Sequence, residues 1–302
     1  MEKVIIIGAG PAGISAALYA VRGNLDPLVI NNGIGALEKA EKIENYYGLE
    51  HPLSGQELYD TGISQAKALG VRILDAQVLG VGGFDTFVVK TTEGEFETQS
   101  LILATGSKRT APKIPGVKEF EGKGVSYCAI CDAFFYRGKD VAVLGNGDFA
   151  MHEAKELSNT ASTVTIYTNG EEPEFTPEEN ISVNTMRIQS VEGDDLVSGI
   201  RLAPDVQTEE INAEAGQQTN DFCPAEGVFI AIGTAGSTEI ARQMGAELTE
   251  KGNIKVNENM ETTIPGLYAA GDCTGGLLQV AKAVYEGAQA GINAGKYVRN
   301  LK

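Results

Sequence analysis

The chain has 302 residues, 42% of them hydrophobic, and a formal net charge of −17 at pH 7. This length suffices for two domains, each with a core of its own. The negative charge argues against nonspecific binding of nucleic acid or anionic membranes, and no apolar run approaches the roughly 20 residues that span a bilayer. We expect no signal peptide, because the first residues run directly into a predicted strand, and hence a cytoplasmic protein.

The first predicted elements are a strand, a glycine-rich turn and a helix. Residues 4–7 are apolar and β-branched, which is typical of a buried parallel strand. A second strand at residues 28–30 completes a β-α-β unit of about 30 residues, the size of half a Rossmann fold. Between them lies a dinucleotide-binding turn with Gly-x-Gly-x-x-Gly spacing. Its residues are Gly8, Gly10, Pro11, Ala12 and Gly13.

The remainder of the first segment continues the α/β pattern. A capping box at residues 54–57 predicts a helix that ends near Gly70. Residues 71–100 are typical of short strands with turns, and residues 101–106 form another buried strand that ends in a turn. A linker at residues 112–116, with two prolines and a glycine, is the best candidate for a domain boundary.

A pair of cysteines follows the linker, in the sequence Cys128-Ala-Ile-Cys131-Asp132. Cysteines at this spacing close a small, reducible disulfide, and a helix that begins there would stabilise a thiolate. In a reducing compartment such a pair is redox-active or metal-binding rather than a permanent staple. A zinc site would have to recruit Cys223 and Cys273, which lack paired spacing. We therefore expect no metal site, and both of those cysteines to be buried.

The first pattern then repeats. Predicted strands at residues 140–144 and 163–167 flank a helix at residues 151–157. The second glycine-rich turn contains Gly145, Gly147 and Ala150. The repeat predicts two nucleotide-binding units in tandem within an α/β protein.

Charge is distributed unevenly along the chain. Residues 170–226 hold fourteen acidic side chains against two arginines, which we interpret as a solvated acidic face. Residues 106–139, which flank the cysteines, hold seven basic side chains against three acidic ones. The segment around the cysteines is therefore where an acidic partner would be least repelled.

Together these motifs resemble the low-molecular-weight thioredoxin reductases, in the order in which that family carries them and from one end of the chain to the other. The matching landmarks are Gly8–Gly13, Glu44-Asn45, Ala104-Thr105-Gly106, Cys128–Asp132, Gly145–Ala150, Val228–Gly233 and Ala270-Gly271-Asp272. The resemblance implies an α/β fold with two Rossmann-like dinucleotide-binding domains, the second inserted into the first. Residues 1–111 and 242–302 would form a discontinuous FAD domain, and residues 112–241 an NAD(P)H-type domain with the cysteine pair. It also implies a homodimer.

The resemblance assigns roles to individual residues. The first glycine turn would hold the FAD pyrophosphate, Asp272 would bond the ribityl chain, and Asn45 with Gln279-Val280 would contact the flavin ring. The remaining FAD positions are Thr105, Gly106 and Gly271. Cys131 would accept electrons from the flavin, Cys128 would attack the substrate disulfide, and Asp132 would donate the proton. The expected substrate is thioredoxin or a similar dithiol protein.

One part of the family pattern is missing. The family binds the NADPH 2′-phosphate with a basic cluster after the second strand of the inserted domain. Here Tyr167 is followed by an acidic run with Glu171 and Glu172, and no lysine or arginine occurs between Lys155 and Arg187. The helix expected after this strand is also missing. We therefore expect an electron donor other than NADPH.

Three donors remain open at this point. NADH would bind with Glu171 or Glu172 on its ribose. A second FAD would occupy the Gly145–Ala150 turn, near Phe149, Tyr167 or Phe175. In the third case the pocket is vestigial and a ferredoxin-like carrier delivers the electrons.

The sequence therefore predicts an FAD-dependent disulfide oxidoreductase with an unusual donor. The alternative is a flavin electron-transfer protein, a dinucleotide-binding protein or a flavin oxidase that does not use the cysteine pair on a protein substrate.

Overall fold

A computed structural model describes residues 1–83, 85–106, 112–127, 129–204, 221–233 and 236–301, with the backbone alone at residues 130 and 131. Cys128 lies outside the described residues. The chain divides into two compact units, the first formed by Met1–Arg109 with Ala235–Lys302 and the second by Thr110–Thr234. Within the described ranges, no helix combines the length and the apolar character needed to cross a membrane.

The helices and strands follow the order expected from the sequence. The helices are α1 (Pro11–Arg22), α2 (Gly55–Ala68), α3 (Ala129–Asp132), α4 (Asp148–Ser158), α5 (Ser237–Gln243) and α6 (Val280–Asn300). The strands are β1 (Glu2–Ile7), β2 (Leu28–Asn31), β3 (Arg72–Asp75), β4 (Val78–Gly82), β5 (Phe87–Thr91), β6 (Gly94–Leu103), β7 (Val125–Ser126), β8 (Asp140–Leu144), β9 (Thr163–Tyr167), β10 (Ser182–Asn184), β11 (Ile188–Gly193), β12 (Val197–Leu202), β13 (Phe222–Pro224), β14 (Gly227–Ile230) and β15 (Leu267–Ala269).

The first unit is built on a sheet with the order β3-β2-β1-β6-β5-β4, to which β15 is added beside β6. The strands β3, β2, β1, β6 and β15 pair in parallel, whereas β4, β5 and β6 pair antiparallel. The C-terminal halves of its central strands β1 and β6 are buried because both faces are covered there, as in other parallel sheets. Helix α6 packs on α1 so closely that a Cβ at Gly287 would lie 2.0 Å from the carbonyl oxygen of Ala12. The C-terminal helix is thereby held against the helix that follows the first glycine turn.

The second unit repeats the parallel arrangement on a smaller scale. Its main sheet has the order β10-β9-β8-β14-β7, and a smaller antiparallel sheet has the order β11-β12-β13. Both glycine turns therefore follow the carboxyl end of a central parallel strand, β1 in the first unit and β8 in the second. Ligands of open α/β sheets bind at this edge. The predicted α/β fold with two Rossmann-like domains is confirmed.

The compact second unit has bounds slightly different from those predicted for the inserted domain. The sequence placed them at residues 112 and 241, whereas the compact second unit runs from Thr110 to Thr234. Helix α5 belongs to the first unit because the Thr105 amide donates to Ser237 Oγ at 3.1 Å, and the Ser237 amide donates to Thr105 Oγ1 at 2.9 Å. As expected, residues 168–181 contain no helix between β9 and β10.

Candidate active site

The first glycine turn leaves space at the N-terminus of α1. Gly8 has a φ of +107°, and a Cβ at Gly13 would lie 1.8 Å from the carbonyl oxygen of Gly8, so both positions require glycine. A Cβ at Gly10 would meet nothing within 4 Å. Gly10 also supplies no side-chain cap to α1, which begins at Pro11. Uncapped amide groups beside open space suit a pyrophosphate, so the turn fits the FAD that the family binds.

An ion pair supports the loop that contains Gly271 and Asp272. Lys282 Nζ lies 3.0 Å from Glu286 Oε2, with side chains 16% and 12% exposed. The lysine donates to the Gly271 carbonyl at 2.8 Å, and Glu286 accepts from the Gly271 amide at 2.8 Å. Asp272 is half-buried; burial raises the pKa of its carboxyl, and the charge of Lys282 opposes that rise. This pair was not predicted from the sequence, although its i, i+4 spacing on α6 was a signal.

Several predicted FAD residues come together in the first unit. A Cβ at Gly271 would lie 3.0 Å from Cβ of Ala12, so the Asp272 loop meets the first glycine turn. Asn45 Nδ2 donates to Gln279 Oε1 at 2.9 Å, and Gln279 is the residue before α6 begins at Val280. Thr105 and Gly106 follow β6 one residue after its end at Leu103, and Thr105 bonds Ser237 as described above.

The turn between the two cysteines forms the short helix α3. Ala129–Asp132 are helical, which includes the backbone of Cys131. The hydroxyl of Ser126 donates to Asp132 Oδ2 at 2.6 Å, so the carboxyl expected to supply a proton is held in place. A 3-10 helix, Ala133–Tyr136, continues directly from α3.

A buried carboxyl group lies against this turn. Glu153 on α4 is 1% exposed, and its Oε2 accepts a hydrogen bond from the Ala129 amide at 2.6 Å. Burial raises the pKa of Glu153 to about 7; the Ala129 bond lowers it, and the charge of Glu156 raises it further. Glu153 was not predicted as a site residue from the sequence; it shares the buried face of α4 with apolar residues.

Two exposed aromatic rings follow α3. Phe134 is 71% and Phe135 68% exposed, and their rings meet edge to face with centroids 6.2 Å apart. The guanidinium of Arg137 lies 5.6 Å from the centre of the Phe134 ring. Exposed aromatic side chains beside a basic group are typical of protein contact surfaces. The position of both rings directly after the cysteine motif could have indicated a protein contact surface from the sequence alone.

The second glycine turn has the same open geometry but a close neighbour. Gly147 supplies no side-chain cap to α4, and a Cβ there would meet nothing within 4 Å. The segment of residues 171–178, here the return segment, folds back on this turn, because the Glu174 amide donates to the carbonyl of Asn146 at 2.7 Å. Its far end is tied to α4, where Lys155 Nζ lies 2.6 Å from Glu178 Oε1.

The aromatic residues considered for a second flavin do not line a site. Phe149, Tyr167 and Phe175 are only 1%, 5% and 8% exposed, so their side chains fill the core of the second unit. The basic side chain of Arg187 lies beside Gly170, shortly after β9 ends at Tyr167. A Cβ at Gly170 would lie 2.7 Å from Cγ of Arg187. Arg187 and Gly170 are separated in the sequence, and they come together because β10 pairs with β9.

The other two cysteines are wholly or partly buried. Cys273 is 1% exposed, and burial raises the pKa of its thiol to about 12. Cys223 is partly buried, beside Tyr167, which it meets through a hydrogen bond. Within the described ranges, His, Cys, Asp and Glu side chains form no cluster of three or more that could hold a metal ion.

The chain matches known proteins along almost its whole length. Residues 2–287 match the family described as pyridine nucleotide-disulphide oxidoreductase. The thioredoxin reductase of Aquifex aeolicus is 35% identical over 314 residues, covering 99% of this chain and 94% of the relative.

Solved structures of thioredoxin reductases also match the chain along almost its whole length. The atypical thioredoxin reductase from Desulfovibrio vulgaris Hildenborough is 38% identical with a TM-score of 0.88, covering 99% of both chains. A ferredoxin-flavin thioredoxin reductase from Clostridium acetobutylicum is 30% identical with a TM-score of 0.69, covering 99% of this chain and 98% of that one. The chain belongs to the pyridine nucleotide-disulphide oxidoreductase family, as a thioredoxin-reductase-like flavoprotein disulfide reductase.

Proposed function

We propose that this enzyme reduces thioredoxin or a similar small dithiol protein through Cys128 and Cys131, with electrons that do not come from NADPH. The observation that carries the proposal is the structure of the turn between the cysteines. Helix α3 contains Cys131, and the Ser126 hydroxyl donates a hydrogen bond to Asp132 Oδ2 at 2.6 Å. The exposed Phe134–Phe135 pair beside it offers a contact surface for a protein substrate.

FAD supplies the two electrons when it is bound in the first unit. The first glycine turn would hold its pyrophosphate, Asp272 its ribityl chain, and Asn45 with Gln279 and Val280 its ring. The other proposed FAD contacts are Thr105, Gly106 and Gly271. The ion pair of Lys282 with Glu286 supports this geometry by fixing the Gly271 backbone from both sides.

The cysteines divide the disulfide exchange between them. The Cys128 thiolate attacks one sulfur of the substrate disulfide, and the other substrate sulfur leaves with a proton from Asp132. Cys131 then attacks the Cys128 sulfur of the mixed disulfide, and its proton passes through Asp132 to the second substrate sulfur, which frees the reduced substrate and restores the Cys128–Cys131 bond. Bound FAD would supply the two electrons that, together with two protons from solvent, reduce that bond for the next cycle.

For the donor, we favour a ferredoxin-type carrier. The return segment bonds Asn146 within the second glycine turn, and Glu171 and Glu172 stand where a 2′-phosphate would need cations. A single guanidinium side chain, that of Arg187, is in contact with Gly170 there. The Clostridium acetobutylicum relative, which shares this fold, is a ferredoxin-flavin thioredoxin reductase. NADH remains the second candidate donor, and burial of Phe149, Tyr167 and Phe175 argues against a second FAD.

Anaerobic mixing experiments test the donor. The holoenzyme is mixed with reduced ferredoxin, NADPH or NADH, and flavin absorbance is followed after the FAD per chain has been counted. We expect one FAD per chain and rapid bleaching by ferredoxin alone. Rapid bleaching of the flavin by NADPH would refute the donor proposal. Two FAD per chain would instead support a second FAD site at the Gly145–Ala150 turn.

Cysteine variants test the substrate reaction. Cys128→Ser should abolish thioredoxin reduction and leave flavin reduction intact, whereas the matched control Cys223→Ser should retain both. Turnover that survives Cys128→Ser would refute the role of the pair.

We propose two further properties, a homodimer and a cytoplasmic location. Light scattering tests the first, and cell fractionation tests the second.

A further inference from the structure

The end of strand β2 lies beside the first glycine turn. The amide of Gly8, in that turn, donates to the carbonyl of Ile30 at 2.9 Å, and Asn31 is the next residue and the last of β2. In dinucleotide-binding units of this topology, an acidic residue about 20 positions after the glycine turn accepts a hydrogen bond from the adenosine ribose. Asn31 is neutral, so the acid is missing from its usual strand.

A carboxylate from the neighbouring strand stands next to Asn31. Strand β3 pairs with β2 in parallel with Asp75 opposite Asn31, and Nδ2 of Asn31 donates to Oδ1 of Asp75 at 2.7 Å. Asp75 is the last residue of β3 and is exposed. The Ala76 amide donates to the carbonyl of Asn31 at 2.9 Å, so the backbone also holds the two strand ends together. The sheet edge therefore carries an acid, supplied by the next strand.

Tyr59 on α2 sets the direction of this contact. Its hydroxyl donates to Oδ1 of Asn31 at 2.8 Å, which leaves Nδ2 of Asn31 to face Asp75. Burial raises the pKa of Tyr59, and the charge of Asp75 adds to that rise, so the hydroxyl keeps the proton that it donates. Without this bond the amide of Asn31 could turn over and place its oxygen against the carboxylate.

The charges around Asp75 suit a ribose hydroxyl rather than a ribose phosphate. Arg72 also lies on β3, but its guanidinium bonds Glu2 and Asp26, at 3.1 Å in each case. A 2′-phosphate would need clustered cations, whereas a hydroxyl needs an acceptor. The bond from Asn31 uses Oδ1 of Asp75, and a carboxylate has a second oxygen that can accept. The adenosine ribose of FAD carries free hydroxyl groups and meets this requirement.

We propose that Asp75 replaces the missing acid and binds the adenosine ribose of FAD, and that Asn31 and Tyr59 are positioning residues for its carboxylate. The inference rests on the proposed binding of FAD in the first unit. A ribose hydroxyl would donate to Asp75, while Asn31 holds that carboxylate at the edge of the sheet beside the first glycine turn. A neutral amide is required at position 31, because a second carboxylate there would repel Asp75.

The test compares FAD with an analogue whose adenosine lacks both ribose hydroxyl groups. The full-length apoprotein is titrated with each, and flavin fluorescence gives the two dissociation constants. The wild-type chain should bind FAD at least about tenfold more tightly than the analogue, because hydrogen bonds to charged groups are among the stronger ones. In Asp75→Ala this ratio should fall to about one, since FAD loses a bond that the analogue never makes. A general loss of stability would weaken both ligands equally and leave the ratio unchanged.

Two further variants complete the test. Asp60→Ala removes another exposed carboxylate, next to Tyr59 on α2, and as the matched control should keep the wild-type ratio. Tyr59→Phe keeps the ring but not the hydroxyl, and should lower the ratio part of the way because the amide of Asn31 is then free to turn. An unchanged ratio in Tyr59→Phe would remove Tyr59 from its positioning role.

A ratio of about one in the wild-type chain, or a wild-type ratio in Asp75→Ala, would overturn the proposal. Failure of the proposed function would give a different result, because the wild-type chain would then bind no FAD. The titration needs neither thioredoxin nor an electron donor.

Discussion

The side-chain amide of Asn45 donates a hydrogen bond to Oε1 of Gln279 at 2.9 Å, although 234 positions separate them along the chain. Asn45 lies in the loop before α2, and Gln279 is the last residue before α6. Both were expected to contact the flavin ring on the basis of family resemblance alone. Their direct bond means that one contact positions the other, so the two should act on FAD binding together.

Asn45→Ala should weaken FAD binding. The substitution removes the proposed flavin contact and leaves Gln279 without its partner, and a net hydrogen bond is worth about 0.5–1.5 kcal/mol, or roughly 2- to 10-fold in affinity. FAD release on dilution, followed by flavin fluorescence, measures the loss. Gln56→Ala breaks a comparable exposed bond to Asp60 in α2 and should leave FAD retention unchanged. Equal retention in both variants would remove Asn45 from the site.

Two glycines of the first turn should respond differently to the same substitution. Gly13→Ala would bring a Cβ to within 1.8 Å of the Gly8 carbonyl oxygen, so we expect a loss of about 1–3 kcal/mol of stability. Gly10→Ala meets nothing within 4 Å and should leave the apoprotein stable. It should still abolish FAD retention, because its methyl group occupies space that the pyrophosphate needs. Thermal unfolding of apoprotein and FAD content after purification test both claims.

The ion pair of Lys282 with Glu286 should stabilise the first unit. Lys282→Met leaves a carboxylate that is 12% exposed without its cation, and we expect a cost of about 2–4 kcal/mol. Adding Glu286→Gln should recover much of it. Lys255→Ala breaks a pair that is 59% exposed on both sides and should cost less than about 1 kcal/mol. Urea unfolding of the apoprotein compares them, and equal costs for the two lysines would contradict the role of burial.

Cys273 should resist alkylation in the folded protein. Its pKa of about 12 means that about one thiol in ten thousand is ionised near pH 8, and that fraction rises only as the pH approaches 12. Iodoacetamide followed by peptide mass spectrometry should label Cys223 first and leave Cys273 unmodified. In concentrated guanidinium chloride both should react at similar rates. Rapid labelling of Cys273 in the folded protein would show that its site opens.

The parts of the fold that sequence analysis predicted well depend on local pattern. An apolar run followed by spaced glycines and a helix is specified within about 30 residues, so β1 with α1, and β8 with α4, were found at nearly their observed bounds. The capping box at Ser54 was likewise confirmed, with Ser54 Oγ accepting from the Glu57 amide at 3.2 Å.

The features that were not predicted from the sequence depend mostly on contacts between residues far apart in the chain. The bond that ties helix α5 to Thr105 spans 132 positions, so no local pattern in the sequence predicts it. Arg187 reaches Gly170 only because β10 returns beside β9. Glu153 was hidden for a different reason: a glutamate in a helix is ordinarily exposed, and only packing against α3 shows that this one is buried.

The Phe134–Phe135 pair should affect protein substrates more than small ones. Replacing both rings with alanine removes an exposed aromatic surface beside the cysteines but no group that takes part in disulfide exchange. Aromatic anchors commonly contribute more than about 1 kcal/mol each to an interface, so kcat/KM for thioredoxin should fall at least about tenfold, mainly through KM. Reduction of a small aromatic disulfide should be unchanged, and Tyr47→Ala, which removes another exposed ring, is the matched control. Equal losses with both substrates would place the rings in the chemistry rather than in docking.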